Sequence, residues 1–69
     1  MVLAQLVGAT FKVVYNVVAA GRLNLGEAQY YLGRLHQIQD LADGLDMMEY
    51  IMLDTLITNV KKGVMDRLE

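Results

Sequence analysis

VLAQLVGATFKVVYNVVAA, residues 2–20, is the stretch on which the fold turns. Leu3, Leu6, Val7, Thr10, Phe11, Val14, Val17 and Val18 recur at i, i+3, i+4 and i+7, the spacing of one helix face. At about 100° per residue, Gln5, Lys12 and Asn16 gather into one narrow polar stripe. The apolar arc that remains spans about 220°, roughly twice the usual core-facing stripe. Residues 11–18 are also rich in β-branched and aromatic side chains and could form a strand. The helical spacing explains the longer stretch and predicts a helix over 2–20.

Working outward, Gly21-Arg22-Leu23 breaks the period, and Gly21 suits the left-handed residue that ends a helix. Asn24 then has Glu27 three residues on, the spacing of a capping box. A second helix is predicted over 25–43, with Leu25, Ala28, Tyr31, Leu32, Leu35, Ile38 and Ala42 on its apolar face. Gly44 makes the second break. Asp46 and Glu49 form another capping box, and Leu45 and Tyr50 stand at hydrophobic-staple spacing. A third helix is predicted over 47–68, facing inward with Tyr50, Leu53, Leu56, Ile57, Val60, Val64 and Leu68. One continuous helix through Gly44 would not need the change of apolar phase seen at 42–48. Two short connections make the helices antiparallel neighbours, so the expected fold is all-α, an up-down-up three-helix bundle in one domain of residues 1–69.

The composition explains why such a bundle would need company. Sixty-nine residues form a marginal core, and with Gly counted and Tyr left out 40 of the 69 residues are apolar, above the ~45–50% of ordinary domains. There is no cysteine to add a disulfide, which is compatible with a reducing, cytoplasmic setting. With one histidine, a zinc site within a chain is not expected, nor is any other cofactor. The apolar excess therefore points to oligomerisation, with a two-fold homodimer as the simplest form. The interface is expected at the edges of the first helix: Val2 and Val13 on one edge, Phe11 and Tyr15 on the other. Leu3, Leu6, Val14 and Val17 are expected to serve the chain's own core. Met47, Ile51 and Met65 lie off the main face of the third helix and form a second, smaller stripe of the adaptable kind found at binding surfaces. Gap-filling in a small core explains the methionines of that helix, Met47, Met48, Met52 and Met65, as readily.

Few residues suggest chemistry. His36 and Asp40 stand at i, i+4 and could form an acid–base pair or half a metal site, but no nucleophile or third ligand accompanies them. Asp40, Asp43, Asp46 and Glu49 make an acidic patch that could dock a basic partner. Its spacing is not that of a calcium loop, and Asp46 and Glu49 already have capping roles. Asp40 and Asp43 sit where a helix dipole disfavours negative charge. A net charge of −2, with Lys61-Lys62 as the largest basic cluster, argues against nucleic acid. A recognition helix beginning Met47-Met48-Glu49-Tyr50 would offer no base-reading side chain. Residues 2–20 approach membrane-spanning length, but Lys12 sits at the midpoint, where a lysine costs ~3 kcal/mol. No basic stretch precedes them as in a signal peptide. The expectation is a non-enzymatic, homo-oligomeric regulator, inhibitor or adaptor that binds protein. The rivals are a structural subunit and a small membrane-associated protein.

Overall fold

The computed structural model describes residues 2–69 and contains three α-helices: α1 (Val2–Ala20), α2 (Leu25–Asp40) and α3 (Met47–Asp66). Both expected capping boxes start helices. Asn24 Oδ1 accepts the Glu27 N–H at 2.8 Å, and Glu27 Oε1 accepts the Asn24 N–H at 3.3 Å. Asp46 and Glu49 repeat the exchange at 2.8 and 3.4 Å. Each box satisfies donors that a helix N-terminus otherwise leaves without partners.

Residues 11–18 are helical, so the strand reading is set aside. Two helix ends fall short of expectation. α2 stops at Asp40, not at 43, because the chain tightens there. The Leu41 N–H is shared between Gln37 O and Ile38 O, and Ala42 donates to Gln39 O at 3.0 Å. Gly44, at φ 94°, then turns the chain in a conformation that other residues avoid. α3 stops at Asp66, not at 68, because residues 67–69 leave it to pair with Leu23. The Leu23 N–H donates to Arg67 O at 3.0 Å, and the Glu69 N–H to Leu23 O at 2.9 Å. This parallel bridge of Leu23 with Leu68 clips the α1–α2 connection to the end of α3. Arg67 Nη1 adds a bond to Gly21 O at 3.3 Å. The end of α1 and the end of α3 therefore lie together, and α1 and α3 run parallel with α2 reversed between them.

All three helices pack on one another. The core is Leu6, Val13 and Val17 of α1; Ala28, Leu35 and Ile38 of α2; Leu53, Ile57 and Val64 of α3; and Leu23 and Ala42 from the connections. Thr10 is the one polar side chain among the described residues buried with them. Its hydroxyl donates to Leu6 O within the helix at 2.8 Å, so it needs no partner elsewhere. Leu25 and Tyr50, expected inside, are exposed, whereas Leu23, assigned to a break, is sealed.

α1 is turned from its expected setting. Its buried strip, Leu6, Thr10, Val13 and Val17, lies about 60° from the middle of the apolar arc. Val13, expected at an interface edge, is only 4% exposed and packs inside the bundle. The reason is size and polarity. Thr10, Val13 and Val17 are compact enough for helix axes to approach to the usual ~8–10 Å. Phe11 and Tyr15 are bulkier, and the tyrosine hydroxyl would need a buried acceptor. Drawing the Val13 edge inward leaves the Phe11 and Tyr15 edge outside.

Candidate interaction surface

The turned α1 leaves a groove between itself and α3. Its cavity volume is about 340 Å³, and Phe11, Val14, Val18, Leu56, Val60 and Gly63 line it, with Arg67 at one end. Gly63 lowers one wall. Phe11 is 56% exposed, Tyr15 is 75% exposed beside it, and Val18 is open to solvent at the far end. On α3, Met52 and Met48 lie one and two turns before Leu56 in the same i, i+4 row. Both are exposed and extend the apolar face toward the start of the helix.

The methionine stripe off the main face occupies the other flank of α3. Met47, Ile51 and Met65 are all exposed there. That flank is on the α2 side, as Asp54 shows by accepting a hydrogen bond from Gln39 Nε2 of α2 at 2.6 Å. Of the expected interface residues, Val2, Phe11, Tyr15, Met47 and Ile51 are exposed, and Val13 is not. Phe11 and Tyr15 share one face, while Met47 and Ile51 belong to another. Val18, Met48, Met52 and Leu56 complete the groove face, and none of them is among the expected interface residues. Their signal lay in the breadth of the apolar arc on α1, which says that some flank stays uncovered but not which one.

The acidic residues separate into local roles. Asp46 and Glu49 hold the cap of α3. His36 Nε2 and Asp40 Oδ2 lie 3.7 Å apart, with both side chains largely in solvent. Asp43 is exposed in the turn. No group of three or more histidine, aspartate or glutamate side chains converges among the described residues. Asp40 is the last residue of α2, where its charge opposes the helix dipole. Asp40→Asn should therefore leave the fold intact and raise stability by a few tenths of a kcal/mol. Chemical denaturation of the two proteins side by side reads this. A clear loss would mean that the pair with His36 outweighs the dipole.

α1, with 19 residues and a mean hydropathy of 1.5, is long and apolar enough to cross a membrane, and 22% of that stretch is buried within the bundle. No family model, curated protein or solved structure matches the chain.

Proposed function

We propose that this chain is a self-associating helical module that acts by binding, as a homo-oligomeric regulator, inhibitor or adaptor, and not by catalysis. The observation that carries the reading is the open apolar groove between α1 and α3. Contiguous exposed apolar faces on small proteins mark association sites. The surface as a whole supports it. The accessible area is 4788 Å², against about 4,300 Å² for an average monomer of this mass. The shape is long, 37 × 15 × 15 Å, so much of each helix stays at the surface.

Self-association predicts coupled folding. Apparent stability then grows with protein concentration, because only the folded state binds. Across a hundredfold dilution, Tm should fall by on the order of 10 °C. Light scattering on the same samples should give at least twice the chain mass. A concentration-independent melt with a monomer mass would remove the reading.

The character of α1 favours a second reading, association with a lipid surface. The exposed Phe11, Tyr15 and Val18 edge would insert, and Lys12 would lie at its border. Co-sedimentation with neutral and anionic phospholipid vesicles separates the two. Binding by a protein that scatters as a monomer would favour the membrane.

A further inference from the structure

Lys12 is the only charged residue of α1, and with Gln5 and Asn16 it makes the polar stripe of that helix. The stripe lies on the flank toward α2, away from the groove. A narrow cavity of about 50 Å³ opens there between the two helices. Lys12, Val13 and Asn16 line it from α1, and Tyr30, Tyr31 and Arg34 from α2. Val13, at 4% exposure, is its buried apolar wall. The rings of Tyr30 and Tyr31 meet edge to face, with centroids 5.4 Å apart. No carboxylate lines the cavity. The chain holds eight acids against six lysines and arginines. Yet the one ion pair among the described residues is His36 with Asp40, at 3.7 Å. Glu27, one turn before Tyr31 on α2, is engaged in the capping box through the Asn24 N–H. Lys12 and Arg34 therefore share one cleft with neither charge neutralised.

We propose that this cavity binds a single phosphate-type oxyanion, free or presented by a lipid headgroup. The site lies on the opposite flank of α1 from the groove and does not depend on self-association. Charge supports it first. A phosphate ester carries about −1.5 to −2 at neutral pH, which matches two cations and exceeds the single charge of a carboxylate. Size agrees. A water-sized group needs about 10–15 Å³ of such space, so the cavity takes on the order of four of them, the oxygens of one tetrahedral anion. A sugar or nucleobase would stay outside. The donors are suited as well. Arg34 offers a planar fork for two oxygens, and Lys12 a point charge. The Asn16 amide and the two tyrosine hydroxyls can each donate a further bond. The apolar Val13 wall lowers the local dielectric and strengthens these attractions. A shallower cavity lined by Gly8, Phe11, Lys12, Tyr15 and Asn16 shares Lys12 and Asn16 with the first. An apolar group attached to the phosphate would run that way, toward exposed Phe11 and Tyr15. That path is the reason a lipid headgroup stands beside the free anion as a source.

The test is a heteronuclear NMR titration of the full chain with inorganic phosphate, with chloride holding the ionic strength constant. The expected result is a saturable, one-to-one response centred on Lys12, Asn16, Tyr30, Tyr31 and Arg34. Lys12→Gln and Arg34→Gln each remove a charge-assisted bond and should weaken binding by about tenfold. Both side chains are exposed, so both variants should fold, which circular dichroism verifies. Lys62→Gln removes an exposed cation elsewhere and should leave the affinity unchanged. A second arm uses vesicles of phosphatidylcholine, alone or carrying phosphatidic acid. Binding to the phosphatidic acid vesicles only, lost in Arg34→Gln, supports the site and assigns the headgroup as its source. A response to inorganic phosphate without vesicle binding supports the site and assigns the free anion. No saturable response in either arm would overturn the proposal. Equal weakening by all three variants would also overturn it, because the attraction would then be diffuse. So would a response centred on Arg22 and Arg67 at the end of the bundle.

Discussion

Val13→Glu should abolish the fold. Val13 is buried in the core strip of α1, and a glutamate there must overfill a packed site beside a narrow cavity rimmed by Lys12, Asn16, Tyr31 and Arg34. An ion placed in such a site carries a penalty of several kcal/mol. The whole stability expected for a chain of this length is about 3–10 kcal/mol. The far-ultraviolet helical signal should largely disappear at neutral pH, at any protein concentration that can be reached. Tyr15→Glu is the contrasting change. Tyr15 lies on the same helix two residues on, but is mostly in solvent. Its replacement should keep the helical signal of the folded chain and lower its mass or its concentration dependence. If Val13→Glu gave a folded monomer, Val13 would belong to an interface after all, and α1 would be turned the other way.

Leu23→Ala is the second large effect. Leu23 precedes the cap of α2 and is fully sealed from solvent. It is also where the chain's two ends of irregular structure meet, through the backbone bonds to Arg67 and Glu69. Removing a buried leucine side chain costs about 2–5 kcal/mol when the cavity cannot collapse. Here collapse is resisted, because the bridge fixes the backbone on both sides. A loss near the middle of that range lowers Tm by on the order of 15–20 °C in a domain of this size. Leu25→Ala, two residues away at 62% exposure, should change stability by less than about 0.5 kcal/mol. Thermal melts of the pair decide the matter. Equal losses would show that the first turn of α2, not the bridge, anchors this corner.

The contrast between Leu23 and Leu25 shows how much of the fold was legible. Leu25 fits the helical period of α2 and Leu23 does not, yet the inside residue is Leu23. Periodicity ranks positions within a helix relative to one another. It carries nothing about a residue just outside the helix, whose direction is set by the loop and by what the loop pairs with. Leu68 completes that pairing from 45 positions away, a contact that no local spacing announces. The same limit applies to the acidic patch. Asp46 and Glu49 were readable as a cap because a capping box is a contact between near neighbours. Asp54 was not readable as the partner of Gln39, because that bond spans two helices.

What the sequence determined by itself is the set of three helices, their starts at Asn24 and Asp46, and the surplus of apolar surface on α1. Each follows from interactions within a few residues: capping hydrogen bonds, glycine turns and the 3.6-residue period. What only the tertiary structure decided is the rotation of α1, the early ends of α2 and α3, and the position of the groove. A 220° apolar arc can face a two-helix neighbour in several settings of similar hydrophobic gain. The choice among them falls to the packing of compact Thr10, Val13 and Val17 against α2 and α3, and to the exclusion of Phe11 and Tyr15.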